Sequence, residues 1–242
     1  SLKKFFPDAS ITVMAGSWTE ELVSANPLVA RVVTYNAGWL DRSGKRWSLA
    51  KRLMILREVH KEKFDLIVDA RGSIGTTLLE LFSPKKRLLY TDSLRHGDVV
   101  RLEKIRKTSI SIDDESRESL KRIFTEEGVD ISKRLISFHP SAYSPVKRWD
   151  NEKWAELCDG IVDRYDAEVI ICGPKSDAAI ANDIIRRMRH KGKNLSGKTS
   201  LLQLAALIDM SDLCISIDSG PMHIAGLLDV PVVGLFGPNN PK

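Results

Sequence analysis

Short β-branched and aliphatic runs alternate along the chain with longer stretches in which apolar residues recur every three or four positions. The strand-like runs are "SITVMA" from Ser10, "ARVVTY" from Ala30, "FDLIVDA" from Phe64 and "KRLLYTD" from Lys86. They continue with "KRLISFHP" from Lys133, "AEVIICG" from Ala167, "DLCISID" from Asp212 and "PVVGLFG" from Pro231. Between Asn151 and Tyr165 the residues Trp154, Leu157, Ile161 and Tyr165 follow helical spacing behind Asp150, a good N-cap. Strands apolar on both faces and separated by helices predict parallel sheets covered on both sides, built from βαβ units. The alternation lapses once, in the polar, Arg-rich stretch between Thr91 and Ile112 that contains His96 and Gly97. The expected organisation is therefore two α/β domains, 1–108 and 109–242.

The strand-to-helix junction "CISIDSGPMHIAG", Cys214 to Gly226, carries the clearest chemistry. Asp218 falls at the carboxyl end of a buried strand, Gly220 suits a tight turn and close backbone approach, and Pro221 suits a first helical position. The N–H groups of Met222 and His223 then point out of a helix end whose dipole favours an anion by about 0.3–2 kcal/mol, and Ser219 can add a hydroxyl donor. Asp218 has the wrong sign for a phosphate but suits the hydroxyls of a sugar beside one. An ordinary capped turn with a core histidine is the alternative.

A second strand end belongs to the same rim. "SFHPSAYSPVKRW" leaves its strand at His139, turns through Ser141, a candidate donor-binding residue, and delivers Lys147 just before the helix at Asn151. Loops at the carboxyl ends of parallel strands line one crevice, so Lys147 and the helix at Pro221 are expected to share the anion. His139 and Trp149 read as packing residues. "CGPKSD" places Asp177 on that rim too, where a carboxylate suits a ribose diol. Two other patterns fail on context. "GKNLSGKT", Gly192 to Thr199, spells a phosphate-binding loop but follows a basic helix tail in place of a buried strand. "RGSIG" at Arg71 lacks a glycine of the dinucleotide fingerprint.

Charge separates the halves. Residues 1–112 carry 20 Lys and Arg against 12 Asp and Glu, a net of +8, and the remainder carries 17 against 20, a net of −3. A basic first half can meet an anionic membrane surface or an acidic small molecule. Nucleic acid is disfavoured, because no stacking aromatics or reading motifs accompany the charge. Cys158, Cys172 and Cys214 lie far apart on apolar stretches and read as buried thiols, and no acidic cluster has metal-ligand spacing. No apolar run approaches the roughly 18 residues of a membrane span. A cytoplasmic protein, in peripheral contact at most with the inner membrane face, is expected. "SLKKFFPDA" reads like the end of a helix, and "VPVVGLFGPNNPK" stops where another helix should follow, so further chain is expected at both ends.

Taken in order, "SFHPSAYSPVKRW", the stretch from "NLSGKTSLLQLAALIDMSDL" through "CISIDSGPMHIAGLLDVPVVGLFGPNNP" and, more loosely, "FPDASITVMA" with "FDLIVDARGSIG" resemble glycosyltransferase family 9, the lipopolysaccharide heptosyltransferases. The resemblance implies a GT-B architecture, two Rossmann-like domains with a cleft between them and the donor bound mainly by the second. It implies inverting transfer of heptose from ADP-heptose to an acidic inner-core glycolipid, with no cofactor or metal. By the same resemblance Lys147 binds donor phosphate, Asp218 meets the sugar, and Ser219, Gly220 and His223 hold the diphosphate. Asp177 meets the ribose, and Lys198 and Thr199 the base. The family's presumed catalytic aspartate is expected in a segment before Ser1. Another nucleotide-sugar transferase of this fold, or a non-catalytic sugar-nucleotide-binding protein, remains the alternative.

Overall fold

In the computed structural model each of the eight strand-like runs contains a strand. The structure describes residues 3, 6–34, 57, 61, 64–69, 87–89, 110–142 and 144–237. The expected domain split near residue 108 lies outside them, as does the motif at Arg71.

The chain divides into two compact units, one of Ser1–Glu20 with Leu28–Arg106, the other of Glu21–Pro27 with Lys107–Lys242. In the first, β1 (Thr12–Ala15) pairs in parallel with β2 (Arg31–Thr34), and β3 (Ile67–Asp69) pairs in parallel with β4 (Arg87–Leu89). The short helix α1 (Glu20–Ser24) leads into the segment that belongs to the second unit.

The second unit holds a five-stranded parallel sheet. Its elements are α2 (Asp114–Glu127), β5 (Arg134–His139), α3 (Asn151–Tyr165), β6 (Ala167–Ile171), α4 (Ala178–Arg187), β7 (Lys193–Asn194), α5 (Leu201–Asp209), β8 (Leu213–Ile217), α6 (Gly220–Leu227) and β9 (Val232–Leu235). The strand order is β7-β6-β5-β8-β9. The period-2 alternation of the strands feeds two cores. On one face Ile136, Phe138, Val169 and Ile171 pack with Trp154, Cys158 and Ile184 from α3 and α4. On the other Leu135, Ile170 and Cys172 pack with Leu120, Phe124, Ala206 and Leu207 from α2 and α5. This explains why β5 and β6 read as continuous apolar runs.

The helices begin where their caps dictate. Asp113 accepts from Ser116 N–H at 2.6 Å to start α2, and Asp150 from Glu152 N–H at 2.8 Å to start α3. Ser200 and Gln203 form a reciprocal capping box on α5. Each such cap is worth about 1 kcal/mol. A third contributor to the start of α5 comes from far away in sequence: the Glu21 carboxylate accepts from Ser200 Oγ at 2.5 Å and from Leu201 N–H at 2.9 Å, while Leu22 packs into the cluster of Ile208, Cys214 and Ile224.

Candidate functional site

The strand order contains a reversal. From β5 the chain moves outward on one side through β6 to β7, then crosses to β8 on the other side of β5. Loops leaving β5 and β8 therefore part company, and the space outside their carboxyl ends is where open parallel sheets bind ligands. The register sets His139, the last residue of β5, beside Ser216 of β8. The residues that follow these two strands are the ones singled out in the sequence.

After β5, Ser141 is 2% exposed, and a single 3-10 turn (Pro145–Lys147) presents Lys147. After β8 comes Asp218. Their side chains meet: Lys147 Nζ donates to Asp218 Oδ2 at 2.6 Å, with each side chain 24% exposed. Sequence reasoning placed both on one rim with separate tasks and missed the pairing. The two are 71 positions apart, and only the adjacency of β5 and β8 unites them. His223 Nε2 stands 3.9 Å from the other carboxylate oxygen. The carboxylate thus sits between a lysine and a largely exposed imidazole, and it offsets part of the positive potential there.

The helix start beside this pair differs in detail from expectation. Helix α6 begins at Gly220, one residue before Pro221, with Ser219 as an extended N-cap. The Ser219 hydroxyl makes no cap hydrogen bond. It donates to the Ile217 carbonyl at 3.0 Å and lies 3.1 Å from the buried Ser216 hydroxyl, which donates to the same carbonyl at 2.8 Å. The hydroxyl is turned into the strand end, and the first-turn N–H groups, Met222 and His223 among them, receive no acceptor from their N-cap side chain. Gly220 has no positive φ, so turn geometry does not demand a glycine; a Cβ there would meet nothing within 4 Å. The glycine keeps space open in front of the helix end.

Asp177 lies at the start of α4, where its carboxylate accepts from Ser176 Oγ at 3.1 Å. Gly173, at φ +156°, is the point where Asp177 approaches His139: a Cβ at Gly173 would stand 3.3 Å from both Asp177 Oδ2 and the imidazole. His139 is packed as expected, 5% exposed. Its Nδ1 is 2.9 Å from the Cys172 carbonyl, which can only accept, so that nitrogen carries the proton. Burial pushes the imidazole below its ordinary range, against the opposing pull of the Cys172 carbonyl, the Asp177 charge and the Ser141 backbone. Trp149 is stacked edge-to-face on Trp154, with ring centroids 5.3 Å apart.

The segment at Lys198 and Thr199 is a turn following β7, which confirms that the apparent phosphate-binding loop is a strand, a turn and the lead-in to α5. The Lys198 ammonium is paired with Glu127 at the end of α2, at 2.5 Å, and Thr199 precedes the Ser200 cap. Among the described residues no cluster of His, Cys, Asp or Glu could hold a metal ion, and no helix is long and apolar enough to cross a membrane.

Comparison with known proteins agrees with this architecture. Lipopolysaccharide heptosyltransferase 3 of Escherichia coli K12 is 24% identical over 98% of the chain and 76% of its own length. Among solved structures, a glycosyl transferase family 9 protein from Veillonella parvula superposes with a TM-score of 0.81 at 22% identity, over 99% of this chain and 75% of that one. The E. coli ADP-heptose lps heptosyltransferase II superposes at 0.73 and 23% identity, over 99% and 79%. The fold is the GT-B type of these structures, α/β with parallel sheets. Residues 98–242 match the family model described as glycosyltransferase family 9 (heptosyltransferase), so the chain belongs to that family and is a glycosyltransferase.

Proposed function

We propose that the enzyme transfers heptose, with inversion, from ADP-heptose to an acidic lipopolysaccharide inner-core acceptor. The observation that carries the donor half of this reading is the Lys147–Asp218 pair at the strand-order reversal, beside a helix start whose N-cap side chain leaves its donors free. Lys147 and the N–H groups at Gly220, Met222 and His223 hold the diphosphate. They stabilise the charge that develops on it as the glycosidic bond breaks, the role of preorganised donors at a departing anion. Asp218 receives sugar hydroxyls. Asp177 takes the ribose, and the turn at Lys198 and Thr199 borders the base. Inversion also requires a base to take the proton of the acceptor hydroxyl, and none of these residues is assigned to it.

In this reading the donor is a substrate and no resident metal is needed, since a lysine and a helix end supply the positive charge. The net +8 of residues 1–112 attracts the acidic acceptor, at the cytoplasmic face of an anionic membrane. Turnover of ADP-heptose, against a panel of other nucleotide sugars, on a deacylated phosphorylated inner-core acceptor tests the function. Absence of transfer with ADP-heptose, with transfer from another donor, would replace heptose in the reading. Lack of ADP binding altogether would overturn it. The acceptor KM should rise between low and high salt while the donor KM moves less, because exposed charges are screened within about 8 Å at physiological ionic strength.

A further inference from the structure

The end of β9 touches both members of the charged pair. The Asp218 N–H donates to the Leu235 carbonyl at 3.2 Å. Two residues later Gly237 lies against the turn that carries Lys147: a Cβ there would stand 3.2 Å from the Val146 carbonyl oxygen and 3.3 Å from Lys147 Cα. Those neighbours are backbone atoms, which cannot swing aside as a side-chain tip can. Gly237 has no positive φ and is exposed on its outer side, so neither backbone conformation nor core packing accounts for a glycine. Close approach to the Lys147 turn does.

We propose that the carboxyl end of β9 is a brace that sets the Lys147–Asp218 pair, with Gly237 as a positioning residue for donor binding. The Leu235 carbonyl fixes the height of Asp218 on the sheet. Gly237 lets the Lys147 turn close onto the same strand end. Pushing the turn outward by a few tenths of an ångström leaves the 2.6 Å bond within ordinary hydrogen-bond range, but it shifts the ammonium away from the place at which it meets the carboxylate and a diphosphate together. This inference rests on the reading of Lys147 as a diphosphate ligand.

The test is calorimetric titration of ADP into the wild type, Lys147→Ala, Gly237→Ala and the double variant, with thermal melts alongside. Gly237→Ala should weaken ADP about 2- to 5-fold, a fraction of what losing one charge-assisted hydrogen bond costs, and should cost nothing further once Lys147 is alanine. Val146→Gly loosens the same turn while keeping the backbone carbonyl that Gly237 meets. Its side chain is 70% exposed, so its loss spares the core while loosening the turn, and it should weaken ADP in the same Lys147-dependent way even if Gly237→Ala does not fold. An equal loss in the presence and absence of Lys147, or wild-type affinity in the folded brace variants, overturns the brace and leaves the donor site standing. Wild-type affinity in Lys147→Ala overturns both.

Discussion

Asp218→Asn should make bare ADP bind more tightly while impairing the whole sugar nucleotide. The amide keeps the shape and one acceptor oxygen but removes the charge that Lys147 now faces at 2.6 Å. Two unit charges 4 Å apart interact by about 4 kcal/mol at an effective dielectric of 20, and a charge-assisted hydrogen bond nets about 1.5–3 kcal/mol. With each side chain 24% exposed, solvent screening brings this pair to about 1–2 kcal/mol. A diphosphate arriving at Lys147 competes for the same three donors. If it draws off half of the existing bond, its removal in the variant is worth about 0.5–1 kcal/mol, or roughly 2- to 5-fold in ADP affinity. The sugar nucleotide gains the same amount but loses the carboxylate that receives its hydroxyls, so its KM should rise and kcat fall. Calorimetry with ADP and steady-state kinetics with ADP-heptose, at one fixed ionic strength, measure both. Should ADP affinity fall in parallel with that of Lys147→Ala, Asp218 would be holding the lysine in place and not competing for it.

Lys147→Ala should weaken ADP by about 10- to 100-fold, the loss of one charge-assisted bond, read by the same titration in a variant whose melt confirms folding. Gly220→Ala should leave stability unchanged or raise it by up to about 1 kcal/mol, since a Cβ there meets no protein atom, yet should lower ADP affinity by intruding in front of the α6 N–H groups; unchanged affinity would remove the diphosphate from that end. His139 has a depressed pKa in the folded state, so the unfolded chain binds the extra proton first. Stability conferred by the neutral ring is therefore present above its ordinary value of 6.5 and lost as pH falls below it. Denaturant titrations between pH 5 and 7.5 should show this slope, flattened in His139→Gln. Native Cys158, whose thiol burial pushes up to about 12, should resist a thiol-reactive dye until the chain unfolds.

The strands and the start of α3 were legible because local signals decide them. Two-sided apolar runs have nowhere to go but a covered parallel sheet, and Asp150 is a cap whatever the distant chain does. The site was half legible. Asp218, Lys147 and Asp177 could be assigned to strand ends by their neighbours in sequence, but what each side chain touches depends on strand order. Nothing local to Lys147 says that β8 is beside β5. The Ser219 hydroxyl shows the same limit at shorter range: an N-cap serine ordinarily accepts from its own helix, and here the buried Ser216 and the Ile217 carbonyl draw it inward. Gly237 left no signal at all, because a glycine near the end of a strand looks the same whether it ends the strand or makes room for a neighbour.

The Glu21 cap has a consequence for the order in which this molecule comes together. A carboxylate 180 residues upstream completes the first turn of α5, so the second unit is not a contiguous stretch of chain. During synthesis Glu21 and Leu22 emerge long before the helix they serve, and must stay available until Leu201 and Leu202 exist. A fragment beginning at Lys107 would keep all five strands of the larger sheet but lack one helix cap and one core side chain. Its unfolding would therefore be easier at the start of α5, and a peptide spanning residues 20–27 supplied in trans would be the natural remedy.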